Sequence, residues 1–263
     1  MGALNALWAY RNFVLSSIRN ELVSRFARSK LGGLWMIINP LAQVAIYALI
    51  LSNVLAAKLP GVESQYAYAV YLMAGLLAWT LFHEIVSRST TLFIEQGNLL
   101  KKMSFPRITL PAIVMGSSVF NNLLLLGAML GIFLILGHHF TPAMFWLLPL
   151  MVILVAFAVG LGLTLGVLNV FLRDIGQVVT ILLQTWFWFT PIVYPISIIP
   201  EQYHHLLSFN PIYPLVDAYQ QVIVYGVTPE FDGLIITCSV ALVLLITGLF
   251  LFRRAAEEMV DVL

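Results

Sequence analysis

"ITLPAIVMGSSVFNNLLLLGAMLGIFLILGHHFTPAMFWLLPLMVILVAFAVGLGLTLGVLNVFL", residues 108–172, contains no Asp, Glu, Lys or Arg. A helix crosses a bilayer with about 20 apolar residues at 1.5 Å each, so this run is too long for one crossing. "GHHFTP" at 137–142 supplies a turn and splits it in two. Treating every charge as a break gives four further uncharged windows, 31–57, 64–83, 175–200 and 233–252. The sequence therefore predicts an all-α integral membrane protein of six transmembrane helices, near 34–57, 66–88, 108–136, 143–171, 175–198 and 233–253. Composition agrees: 61% of residues are hydrophobic and 10% charged, against about 25% charged in soluble domains. The 263 residues read as one transmembrane domain.

Charge orients the spans. Arg11, Arg19, Arg25, Arg28, Lys30, Arg88, Lys101, Lys102, Arg107, Arg173, Arg253 and Arg254 share one side, and Lys58 stands on the other. Basic residues stay cytoplasmic, so both termini are expected inside. Residues 10–30 form a basic amphipathic helix with Val14, Ile18, Leu22 and Phe26 on one stripe, suited to the membrane interface. The external stretch 196–230 is too apolar for a free loop and reads as re-entrant helices.

Several chemistries are missing. No GxxxxGK[ST], HExxH, GxSxG or Cys/His cluster occurs, and Cys238 is the only cysteine. No catalytic residue, metal site or cofactor is expected in the chain. Net charge of +1 offers nothing to nucleic acid. Glu84 and Asp174 read as lying near helix ends, and His83 as a polar contact beside Glu84. An interior without central acids argues against an ion-driven transporter and against an intramembrane glycolipid enzyme. The pairs Gly162/Gly166 and Gly127/Gly131 read as small-residue faces for close helix packing. What remains is a conduit whose work comes from a partner.

Five segments point to a family. They are "RFARSKLGGLWMIINP" (25–40), "GNLLKKMSFPRITLP" (97–111), "LRDIGQVV" (172–179), "FNPIYPLVDAYQQVIVYG" (209–226) and the ending "FRRAAEEMVDVL". In this order they resemble the type-2 ABC-transporter permeases that export polysaccharides, above all O-antigen exporters. The resemblance implies a homodimer working with two copies of a separate ABC ATPase, which would hold the ATP and Mg. It implies a bacterial inner-membrane location and a lipid-linked glycan substrate among membrane lipids. Capsule and teichoic-acid exporters share the pattern, and a drug or small lipid is a further alternative cargo. Carried onto this chain, 95–107 becomes the cytoplasmic element that receives ATPase movement, with Glu95, Lys101, Lys102 and Arg107 facing the partner or lipid head groups. Arg11, Arg19, Arg25 and Arg28 could recruit a lipid pyrophosphate, since guanidinium forks suit phosphate; ordinary head groups would attract them equally.

A sliding glycan needs many weak, similar contacts, and rings stack on the CH faces of sugars. Trp35, Tyr47, Tyr71, Trp79, Phe82, Trp186 and Trp188 are the candidate lining rings. Interface belts use the same residue types. "QTWFWFTPIVYPISIIP" (184–200) joins such rings to three prolines. Each Pro removes an N–H and clashes with the preceding turn, so the chain is expected to bend at Pro191 and Pro195. With Tyr194, Asn210 and Pro211 it would form the hinge of an external gate.

Overall fold

The first long helix of the structure, a computed structural model, begins where the apolar pattern resumes at Ala67. Residues 3–24, 30–35, 38–39, 41–42, 45–46, 67–102, 105–135, 141–256 and 258–262 are described. Two thirds of the expected first span, 34–57, falls outside them, as do Tyr47, Arg25, Arg28, Phe26, His138 and His139. The described part is all-α, with no strand among the described residues.

Two short N-terminal helices, α1 (Ala3–Ala9) and α2 (Arg11–Ser24), precede α3 (Ala67–Glu95). The six-residue α4 (Gly97–Lys102) leads into α5 (Thr109–Ile135). A 3-10 turn, Pro142–Trp146, opens α6 (Leu147–Phe171), and α7 spans Asp174–Trp188. Short turns lead to α8 (His204–Leu207), α9 (Tyr213–Gln220) and a π-turn, Gln221–Tyr225. The chain closes with α10 (Phe231–Ala255) and α11 (Glu258–Val262). Among the described residues, α3, α5, α6 with its opening turn, and α10 are long and apolar enough to cross a membrane.

Helix α3 is the axis. Its most apolar stretch is 78% buried, against 28% for α5 and 22% for α10, so the others pack around it. Small residues set that packing. A Cβ on Gly162 would lie 2.7 Å from Ser89 Cβ, and one on Gly166 would run into the Ser89 carbonyl. The same logic joins α6 to α10: a Cβ on Gly248 would sit 2.6 Å from the Gly160 carbonyl oxygen. Gly127 and Gly131 differ from expectation. Among the described residues nothing lies within 4 Å of either, because α5 turns that face away from its described neighbours. Buried amides fasten the same helices. Asn122 Nδ2 donates to Leu77 O at 2.8 Å, and Asn169 Nδ2 to Thr90 O at 2.9 Å. Asn169 Oδ1 also accepts Gly176 N at 2.8 Å, satisfying a free N–H in the first turn of α7.

Two boundaries depart from the charge-break reading. Helix α3 runs through Arg88 to Glu95, because partners neutralise that charge inside the packed bundle. Glu84 therefore stands three turns inside the helix end, not near it. Helix α7 stops at Trp188, ten residues before the expected end at 198. Just past it Phe189 N donates to Thr185 O and Thr190 N tightens onto Phe187 O, and Pro191 bars the next turn because it has no N–H. Fifteen residues reach about 22 Å as a helix, short of a hydrocarbon core of about 30 Å.

Candidate functional site

The helix break after α7 is held by side chains. Hydrogen bonding lost at a break must be recovered where water is scarce. Asn210 Nδ2 donates to Phe189 O at 3.3 Å and to Thr190 Oγ1 at 3.0 Å. Asn210 Oδ1 accepts Trp186 Nε1 at 2.8 Å and Ile212 N at 3.3 Å. Gln220 Nε2 donates to Pro191 O at 3.1 Å. Tyr68 donates to Val193 O, and Tyr71 reaches Pro191 O and Tyr194 O, each at 3.4 Å. Tyr194 Oη closes back on Trp188 O at 2.6 Å. The freed carbonyls of 189, 191, 193 and 194 are thus gathered by residues of α3, α9 and the Asn210-Pro211 turn, and that of Trp188 by Tyr194 within the break. Pro191 is buried and Pro195 half-buried, and Pro211 O accepts Thr237 Oγ1 of α10 at 3.0 Å.

Residues 196–226 are folded as short helices, not as a loop. Ile212, Leu215, Val216, Tyr219, Val222 and Ile223 are wholly buried against the ends of α3, α6 and α10. Gly226, at φ 65°, ends the π-turn in the left-handed region, which glycine adopts without Cβ strain.

The candidate lining rings divide by burial. Phe82 is fully enclosed, and Trp79 and Tyr71 nearly so. Phe82 meets Trp186 at 5.4 Å and Phe157 at 5.6 Å between ring centroids, and Trp79 meets Phe187 at 5.6 Å. In this conformation these rings fill the interior and cannot touch a passing chain; aromatic pairs at such spacing add roughly 0.5–1.5 kcal/mol beyond area burial. Trp186 is half-buried, and Trp188 is 63% exposed. Trp35 follows the turn Gly32–Leu34 and is half-buried. Beside Trp186, an apolar cleft of about 530 Å³ opens between α6, α7 and residues 206–211.

At the opposite end, α4 follows α3 after one residue, Gln96. Leu100 is buried in a second core with Phe93, Val167, Phe252 and Met259, and Phe93 stacks on Phe252 at 5.5 Å. Glu95 and Lys101 point outward. The side chain of Lys102 lies outside the described set. Arg107 instead turns inward and donates to Ala256 O beyond α10, because that helix end offers an unpaired carbonyl. Arg19 is exposed; Arg11 bonds Trp8 O at 3.0 Å and lies over its ring. Helix α2 packs on α5, with Ile18 over Gly116, Leu22 buried and Val14 half-buried, so this side of α2 rests on protein.

Central apolar helices, a clamped break at one end and a short charged helix closing the other suit a conduit better than a catalytic pocket. The sequence pattern of the ABC-2 type transporter family matches residues 13–224. The chain belongs to that family. It is 29% identical, over 97% of its length and 96% of the relative's, to an O-antigen export system permease protein of Myxococcus xanthus. It is 27% identical, over 92% of each chain, to an O-antigen export system permease protein of Klebsiella pneumoniae. A polysialic acid transport protein of Escherichia coli is 27% identical over 91% of this chain and 92% of its own.

The sequence reading of this ABC-2 permease missed two polar groups. One is the cluster of Glu21, Glu84 and Arg88, whose only sequence signal is the i,i+4 spacing of Glu84 and Arg88. The other is Asp217 on α9, outside the four long apolar helices. Burial pushes its carboxyl up to about 6, Gln221 at 2.7 Å pulls it back, and the charge of Glu230 adds to the rise. The folded state therefore favours neutral Asp217. Its contribution to stability is full below the ordinary value of 3.8 and is lost as pH rises toward about 6. A tenfold change in proton affinity corresponds to about 1.4 kcal/mol. Asp217→Asn keeps an oxygen for Gln221 and should remove this loss. Melting in detergent from pH 4 to 8 should show the variant more stable than wild type at pH 7 and flatter between 4 and 6. Equal slopes would contradict the assignment.

Proposed function

We propose that the chain is the membrane-spanning subunit of an ATP-driven exporter of lipid-linked polysaccharide, of O-antigen type, out of the cytoplasm across a bacterial inner membrane. It works as a homodimer with a separate ABC ATPase, and both its termini are cytoplasmic. The observation that carries the reading is the end-to-end match to permeases named for O-antigen export. The structure supports it in three ways. Helix α4 and the end of α3 offer the exposed charges of Lys101 and Glu95 on a base fixed in the second core, so a push there reaches α3, α6 and α10. The clamped break gives a gate whose backbone can stand without water. The apolar face of α7, with Val178, Ile181 and Leu182 exposed, is left uncovered by the other described residues and suits a second copy. Capsule-type export is the second reading, favoured by the polysialic acid transport relatives.

Deleting the chain from its host should abolish surface glycan while lipid-linked glycan accumulates inside; unchanged surface glycan would refute the proposal. The ring contacts sharpen it. Trp188, exposed beside the gate, is the ring we assign to the passing sugar. Trp188→Ala should leave folding intact and lower export several-fold. Phe82→Ala should instead cost about 3–5 kcal/mol of stability. Melting profiles and surface-glycan blots separate the two. Unaltered export in Trp188→Ala would remove the ring from the path.

A further inference from the structure

Arg88 lies where α2, α3 and α5 meet. Its Nη2 is 2.5 Å from Glu21 Oε1 on α2, and its Nη1 is 3.3 Å from Glu84 Oε1 on α3. The same Nη1 donates to Ser117 Oγ at 2.9 Å and Ser118 Oγ at 3.4 Å on α5. Asn121 of α5 donates to Glu84 Oε1 at 3.2 Å. Two more contacts fix α2. Ile18 lies over Gly116, whose missing Cβ leaves room for it. Phe13 meets Phe105, between α4 and α5, at 5.7 Å between centroids.

A helix that only floats at a membrane surface needs none of this. An arginine on a spanning helix is costly unless paired, and an exposed ion pair contributes little. Here one guanidinium uses both terminal nitrogens on acids from two helices and on hydroxyls from a third. That arrangement fixes register and orientation, which an apolar stripe alone leaves free to slide.

Resting on the exporter reading above, we infer that Arg88 and Glu21 are positioning residues. They lock α2 to α3 and α5, so that movement delivered at α4 carries the N-terminal helix, with Arg11 and Arg19, as one body with the bundle. Arg88 links the power stroke to the substrate-recruiting face. Neither residue touches cargo.

A removable tether provides the test. Cys238→Ser removes the only native thiol. Ile18→Cys with Gly116→Cys then places a sulfur near the Ile18 Cγ1 position, 3.3 Å from where the Cβ of residue 116 stands, within reach of a disulfide. The full complex with its ATPase is reconstituted, and glycan moved per ATP hydrolysed is measured. Glu21→Gln should lower this ratio about tenfold, the size of an ordinary coupling energy, while hydrolysis continues. Glu21→Asp, which keeps the charge, should largely preserve it. Oxidising the 18–116 pair in the Glu21→Gln background should restore the ratio, and reduction should remove it again. A wild-type ratio in Glu21→Gln, or no rescue once the disulfide has formed, overturns the inference. Disulfide formation without substrate reads docking alone: faster in the charged chain than in Glu21→Gln supports the clasp, and equal rates overturn it. If Glu21→Gln fails to fold, Arg88→Lys is read by the same tether. Failure of the wild-type complex to move glycan would instead strike the exporter reading.

Discussion

Asn210→Leu should unfold the break that ends α7. The substitution keeps the volume and removes a donor and an acceptor. It strands Phe189 O, Trp186 Nε1 and Ile212 N, which Asn210 now satisfies together. A buried polar group left without a partner costs about 1–3 kcal/mol; these bonds are part-buried or, at Phe189 O, exposed, so the sum is about 1–3 kcal/mol, still a sizeable share of the roughly 5–15 kcal/mol typical of a folded domain. Neighbouring donors cannot substitute, because Gln220 and Tyr71 are committed to Pro191. Thermal melting in detergent should show a clear drop, and surface glycan should be lost with it. Asn210→Asp keeps the acceptor and should fall between. A melting point equal to wild type in Asn210→Leu would show that the clamp is incidental.

The second large effect is Gly160→Val. A Cβ here would press into the backbone of Leu244 and Leu245, with Leu245 Cα 2.7 Å away. Backbone cannot rotate aside as a side chain can. Helices α6 and α10 must separate, or the variant does not fold. Overpacking typically costs about 1–3 kcal/mol. Backbone overlap in the most extensive helix contact among the described residues places this case at the top of that range or above it. Gly127→Val is the control, since no described residue lies within 4 Å of a Cβ placed there. Solubilised yield and monodispersity should collapse for Gly160→Val and persist for Gly127→Val. Equal behaviour would mean that the α6–α10 contact is looser than the structure shows.

The fold was legible where charge and length decide. The uncharged run at 108–172 divided into α5 and α6 as its central turn implied. Legibility failed where a charge is paired inside the bundle. Arg88 reads as a boundary until Glu21, distant in sequence, is seen to neutralise it. It failed again where small residues recur without a partner. Gly127 and Gly131 have the same spacing as Gly162 and Gly166, and among the described residues only the latter pair meets another helix. The prolines located the break in α7 correctly in kind and late in position, because a helix ends before the proline that blocks it. The clamp depends on contacts from α3 and α9 that no local pattern encodes. Composition marked rings as candidates but could not separate Phe82, sealed in the core, from the exposed Trp188. Burial alone makes that distinction.

On the proposed exporter reading the chain should move nothing by itself. The direct measurement is reconstitution of this chain in liposomes, with and without the proposed ABC ATPase, scoring movement of lipid-linked glycan across the bilayer. Movement is expected only when both proteins and ATP are present, with no hydrolysis or transport by this chain alone. Glycan movement by the chain alone, driven by an ion gradient or by its own catalysis, would contradict the proposal.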